Sequence, residues 1–199
     1  MKHNLRTILF AGAVCISVAA WAYSTGPPPA RTGAPGETTC ADCHGNLNTG
    51  SGSVSVTGPA SYNPGDTLTL AIVVAQAGQQ RWGFEITALD AGNQAVGLFL
   101  VTDPSRTQTV VDGVTLRQYV EHTSNGTNAG TFNVSPGWTT KWVSPSAPHG
   151  PVAFYVAGNA ANNNSLPSGD FIYTTSARYD GGHVRTEHIT WGAIKRLYR

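Results

Sequence analysis

Cys40-Ala41-Asp42-Cys43-His44 is the segment whose residue types and spacing could carry cofactor chemistry. In a CxxCH run two thiols add across the vinyl groups of haem, and the adjacent histidine turns under the iron as its proximal ligand. The short spacing lets both sulfurs reach one porphyrin edge while His44 points at its centre. Three rivals use the same residues. A structural zinc site commonly draws four ligands from two CxxC units, and the only other cysteine is Cys15 in the N-terminal leader. A redox CxxC expects a thioredoxin-like βαβ setting, which the sequence lacks. A disulfide between residues three apart closes too small a loop to stabilise much. The motif therefore implies haem c, one per chain, attached at Cys40 and Cys43 with His44 on the iron.

The second axial position is open to fewer residues than usual. Met/His ligation is excluded, because the sole methionine is Met1. The histidines left are His122, His149, His183 and His188. His122 ends the apolar run Tyr119-Val120-Glu121-His122 and is the leading distal candidate. Its alternative role is a polar sandwich residue hydrogen-bonded to backbone. His149 sits in the tight loop Ala147-Pro148-His149-Gly150, and His183 and His188 lie near the C-terminus.

Haem attachment of this kind needs an exported chain, and the N-terminus supplies the signal. Lys2 and Arg6 precede an apolar run from Ile8 to Ala20, and Ala20-Trp21-Ala22 has the small-x-small form of a cleavage site. Residues 1–22 read as a signal peptide, which places the mature chain in the periplasm or at the cell surface. No other apolar stretch approaches the ~20 residues a membrane span needs. The formal net charge of +1 offers no general attraction for nucleic acid.

The elements that must hold the motif are strands. Charged residues make up 12% of the chain, about half the ~25% of ordinary globular proteins, while glycine is abundant. That composition disfavours helix bundles and suits a turn-rich β fold. Leu68, Leu70, Ile72 and Val74 alternate after the turn Asn63-Pro64-Gly65-Asp66, and Trp82, Phe84, Ile86 and Ala88 alternate before Asp90-Ala91-Gly92-Asn93. Further runs fall at Val96–Val101, Thr115–Glu121, Trp138–Val143, Val152–Ala157 and Phe171–Thr175. These predict an all-β, antiparallel β-sandwich over 53–177 with an N-terminal haem-attachment segment at 40–52. A Pro/Gly-rich leader at 23–39 reads as extended or looped, because proline fixes φ and removes donors. Residues 178–199 form a basic tail, with Arg178, Arg185, Lys195, Arg196 and Arg199 against Asp180 and Glu187. The tail reads either as a closing strand or short helix, or as a docking segment for an acidic partner or membrane-associated complex.

Other constellations are weaker. The stretch Asn159 to Asp170 (NAANNNSLPSGD) offers oxygen ligands and could bind Ca²⁺, although the same residues are ordinary loop-formers. Trp82, Trp138, Trp142 and Tyr155 could form an electron relay or a sugar platform, or simply the core. Glu37, Asp42 and Glu121 form no recognisable catalytic pair. There is no nucleophile elbow and no phosphate-binding glycine loop.

Leader and motif together, GPPPARTGAPGETTCADCH, resemble the start of bacterial exported proteins with a reeler-like domain, often labelled choice-of-anchor V. The resemblance continues through SYNPGDTLTL, RWGFEITALD, GLF, YVEHTSNGT, WTTKWVSPSAPHG, VAFYVAGNAANNN and SGDFIYT, from Gly26 to Thr175. It implies an immunoglobulin-like β-sandwich, with CxxCH members read as mono-haem cytochrome-like proteins. Members often end in a membrane or sorting anchor, where this chain has its basic tail. The function expected from residues and resemblance is one-electron transfer by an exported mono-haem c-type cytochrome, as a carrier or a subunit of a redox assembly, rather than turnover of a substrate. The alternatives are a recognition or adhesion sandwich with structural haem, and a haem sensor or peroxidase with an open sixth site.

Overall fold

A computed structural model describes residues 23–182. The expected signal peptide, most of the basic tail, His183 and His188 lie outside the described residues. Ten strands follow in order: β1 (Ser53–Thr57), β2 (Ser61–Tyr62), β3 (Thr67–Ala75), β4 (Arg81–Leu89), β5 (Leu98–Val101), β6 (Thr107–Val111), β7 (Gln118–His122), β8 (Trp138–Val143), β9 (Val152–Ala161) and β10 (Phe171–Gly181). A single helical turn, α1 (Ala41–His44), precedes them.

The strands form two sheets, ordered β1-β3-β8-β5 and β2-β10-β9-β4-β7-β6. The fold is the all-β sandwich that the alternating runs predict. Its pairs are antiparallel except one: β2 lies parallel to the end of β10, through Asp180↔Ser61 and Gly181↔Tyr62. The last strand runs past the expected boundary at 177, so Arg178 and Asp180 belong to the sandwich.

The four-stranded sheet keeps one wet face. Along β3 the even residues Leu68, Leu70, Ile72 and Val74 are buried while their odd neighbours are exposed or half-buried, as a period of two requires. Trp138 and Trp142 enter the core from β8, and each indole N–H finds a carbonyl, Gly126 at 2.9 Å and Val96 at 3.0 Å. Trp82 is likewise buried, donating to Thr131 O at 2.8 Å. These three tryptophans are core.

The six-stranded sheet is covered on both faces. Trp82, Phe84, Ile86 and Ala88 of β4 join the core cluster, yet Glu85, Thr87 and Leu89 on the opposite face are equally inaccessible. The Pro/Gly-rich leader lies over that face. Arg31 N donates to Glu85 Oε2 at 2.6 Å, Asn48 N donates to Ile172 O at 2.7 Å, and Leu47 bridges Ile172. Glu37 staples the strap down by accepting from Arg117 Nη1 at 2.6 Å and Tyr119 Oη at 2.8 Å. The leader is irregular, as its prolines require, but it is a packed layer.

Candidate functional site

The helical turn α1 sits in this strap and is kept short by its neighbours. Thr39 Oγ1 accepts from Ala41 N at 3.1 Å, Cys40 O accepts from His44 N at 3.1 Å, and Gly45 ends the turn at φ 65°. One turn places Cys40 and Cys43, three residues apart, on the same face. Both thiols are free and half-buried. Burial pushes the Cys40 thiol up to about 12, so it stays protonated at neutral pH.

Cys40, Cys43 and His44 line an open pocket on the strap-covered face of the six-stranded sheet. One wall is Tyr23, Pro27, Pro28 and Arg31, the floor is Trp82, Gly83, Phe84 and His122, and the far wall is Asn159 with the β9–β10 loop through Leu166. Its enclosed space measures ≈ 190 Å³, below the ~300–1,000 Å³ typical of small-molecule and cofactor sites, so a bound group as large as haem would extend through the open mouth. Within the wall, Arg31 Nε and Asn159 Oδ1 are buried without a hydrogen-bond partner.

His44 is held at both ring nitrogens by residues far along the chain. Asp170 Oδ2 lies 2.7 Å from Nδ1, and Asn159 Nδ2 lies 3.2 Å from Nε2. Asp170, at the start of β10, is 1% exposed, and its other oxygen accepts from Asn162 N at 3.2 Å. Asn46 Nδ2 donates to Asp170 O at 3.0 Å, tying the segment after the motif to the same place.

His122 reaches the same pocket from the end of β7. It is 8% exposed, and its Nδ1 sits 3.2 Å from Phe84 N and 3.3 Å from Phe84 O. Nδ1 can therefore accept from the amide or donate to the carbonyl, according to tautomer. Burial pulls the ring down to about 4, against weaker support from backbone hydrogen bonds with Phe84 and Tyr23. It is neutral at physiological pH. Gly83 makes its room: a Cβ there would lie 2.8 Å from His122 Cε1.

The structure thus brings Cys40, Cys43, His44 and His122 to one pocket. It keeps His149 away from them. His149 Nε2 lies 3.5 Å from Asp90 Oδ2 and precedes β9, whereas Asn159, beside His44, is near that strand's other end. Seven residues of strand put about 23 Å between those ends. Inside the stretch from Asn159 to Asp170, Asn162 Oδ1 accepts from Asn164 N at 3.0 Å and Asn164 Oδ1 from Leu166 N at 2.8 Å, while Asn163 Oδ1 accepts from Arg81 Nη1 at 3.2 Å. Among the described residues no group of three or more His, Cys, Asp and Glu side chains is placed to hold a metal ion, and no helix is long and apolar enough to cross a membrane.

Asp170, Asn159, Gly83 and Glu85 are the pocket and strap residues that sequence reading misses in these roles. Asp170 and Asn159 bound a segment conspicuous for its oxygens, but nothing local says that they face a histidine 126 and 115 positions away. Gly83 and Glu85 alternate with the apolar residues of β4 in RWGFEITAL, a pattern that reads as a wet opposite face.

No protein-family model matches the chain, and no curated protein matches it. Among solved structures, the sandwich is similar to a cohesin module from a Clostridium perfringens family 33 glycoside hydrolase, at TM-score 0.47 and 6% identity over 66% of this chain and 96% of that one. It is also similar to a non-cellulosomal cohesin from the hyperthermophilic archaeon Archaeoglobus fulgidus, at TM-score 0.35 and 13% identity over 68% and 96%.

Proposed function

We propose that the chain is an exported mono-haem c-type cytochrome of the reeler-like kind, transferring single electrons as a carrier or as a subunit of a redox assembly. One observation carries this reading: the CxxCH turn opens onto a solvent-open pocket that is also lined by a second, neutral histidine. Cys40 and Cys43 would hold the group covalently, and His44 and His122 would supply nitrogen ligands to its iron. A thiol redox role suits the site less well, since reactive CxxC pairs depend on a lowered cysteine pKa and here Cys40 is raised.

When bound, haem iron supplies a one-electron couple. The chain supplies the setting. Pro27, Pro28 and Leu166 are apolar groups lining the pocket beside the motif, and the strap fixes the motif against the sheet. His122, kept neutral by burial, offers a nitrogen lone pair without first losing a proton. The basic tail is the candidate docking segment for an acidic redox partner or an anionic membrane surface. The test is denaturing electrophoresis of the exported protein with haem staining, followed by oxidised and reduced absorption spectra. A haem that survives denaturation, with a low-spin spectrum lost in His122→Ala, is expected. A chain that never carries haem, or releases it into acid solvent, overturns the reading.

A different observation favours a recognition module with structural haem. Leu98 and Leu100 on β5, and Val111, Val114 and Leu116 around the β6–β7 hairpin, are exposed large apolar side chains at sheet edges. Exposed apolar groups of this kind suit docking of another protein. Full partner binding by the haem-free Cys40→Ala/Cys43→Ala chain would favour this role.

A further inference from the structure

Proximal histidines gain donor strength when their second nitrogen donates to a carboxylate, which also fixes the ring's tautomer and orientation. His44 has such a carboxylate. Asp170 is almost completely buried, lies 2.7 Å from Nδ1, and is itself oriented by Asn162 N on its other oxygen. A carboxylate accepts, so Nδ1 carries the proton and Nε2 keeps its lone pair. The donor facing Nε2, Asn159 Nδ2 at 3.2 Å, agrees with that tautomer. Asn159 Oδ1, buried with no partner, shows that this amide is not otherwise committed.

We propose that Asp170 is the positioning residue of the site: it sets the tautomer of His44, aims Nε2 into the pocket, and holds the potential of the bound haem low. The inference rests on the cytochrome reading above and deepens it. A negative charge hydrogen-bonded through the imidazole favours the more positive, oxidised iron. The placement has a structural reason as well. Asp170 immediately precedes β10 while His44 ends α1 in the strap, so one hydrogen bond joins the haem-attachment turn to the sheet it lies on. Asn46 repeats the link through the Asp170 backbone.

The test is a redox titration of the full haem-carrying protein, wild type against Asp170→Asn, with spin state followed in the same samples. Asparagine preserves an oxygen acceptor and removes the charge. The expected result is a shift of at least tenfold toward the reduced form at fixed poise, about 59 mV for one electron, with the haem still covalent and low-spin. An unchanged potential in a haem-loaded variant overturns the role of Asp170 and leaves the cytochrome reading standing. A wild type without haem overturns that reading itself. Should Asp170→Asn fail to mature, ¹⁵N-histidine NMR of the Cys40→Ala/Cys43→Ala chain decides: His44 protonated at Nδ1 supports the proposal, and protonation at Nε2 alone overturns it.

Discussion

Glu85 and Glu121 face each other as register partners on β4 and β7, both buried, each with one carboxyl oxygen that no protein donor reaches. Glu85 receives only Arg31 N on its other oxygen, and Glu121 only Gln108 Nε2 at 2.7 Å. Burial pushes Glu85 up to about 9 and Glu121 up to about 7. Burial holds Glu85 as an acid at neutral pH and leaves Glu121 about half-ionised there, with Arg31 too weak a counter-charge to reverse the shift on Glu85.

The first prediction follows from the sign of that shift. Glu85 binds its proton in the native state across a window, from its ordinary 4.5 to about 9, where the unfolded chain has released it. Its contribution to stability is therefore full below pH 4.5 and is lost as pH rises toward 9. The groups acting on it are Glu121, Glu37 and Arg31, and these stay in place in Glu85→Gln. That variant should unfold with a flatter pH dependence and gain about 1–3 kcal/mol at pH 8, the usual penalty of an unsatisfied buried polar group. Denaturant titrations from pH 5 to 9 measure this. A slope equal to the wild type's would mean that Glu85 ionises freely.

Gly83 supports a second prediction. Alanine there would bring a Cβ within 2.8 Å of His122 Cε1, and the ring is buried, so it must shift. Gly83→Ala should cost about 1–3 kcal/mol of stability, the usual cost of overpacking. In the haem-carrying protein it should also weaken or displace the sixth ligand, read as high-spin character in the absorption spectrum. A low-spin spectrum identical to wild type would place the second ligand elsewhere.

The third prediction concerns the strap. Arg117 Nη1 meets Glu37 Oε1 at 2.6 Å with both side chains nearly sequestered, and Tyr119 and Thr32 also donate to Glu37. Removing one member of a buried pair leaves the other charge uncompensated, at a cost of about 3–5 kcal/mol. Arg117→Ala should loosen the leader and make residues around 33–39 the first site of limited proteolysis. Cleavage elsewhere, with the leader still protected, would show that other contacts hold it.

A fourth prediction separates the thiols from the strap that carries them. The core cluster contains no residue of α1, so Cys40→Ala/Cys43→Ala should keep a β-rich circular dichroism spectrum. Deleting 23–48 is different: it removes the backbone pairing along Ile172, Asn48 N to Ile172 O at 2.7 Å and Ile172 N to Asn46 O at 3.3 Å, and takes the Arg31 amide from Glu85. Each of those three hydrogen bonds is worth about 0.5–1.5 kcal/mol. That truncation should lower stability by roughly 3 kcal/mol or more, measured by denaturant unfolding. Equal stability of both variants would mean that the strap contributes nothing to the fold.

Local pattern carried much of the fold. The period of two along Thr67–Ala75 and Arg81–Leu89, with turn residues between, is a property of neighbours in sequence, so β3 and β4 were legible, and β8 matches its alternating tryptophans residue for residue. Cys40, Cys43 and His44 were legible for the same reason: one helical turn determines how they face each other. By contrast, β2 and β6 are short edge strands with little apolar alternation, and only pairing makes them strands. The parallel contact of β2 with β10 joins segments more than a hundred residues apart.

Tertiary structure alone decided what lies over the six-stranded sheet. The sequence of β4 marks Gly83, Glu85 and Thr87 as a wet face, and they are dry because a proline-rich segment from earlier in the chain, Arg31 lying 54 positions before Glu85, folds across them. The same folding sets His122 and Asp170 around the CxxCH turn. Charge, size and hydrogen-bonding capacity are written residue by residue, but which buried carboxylate meets which imidazole depends on packing between segments 126 positions apart, and no local periodicity encodes that.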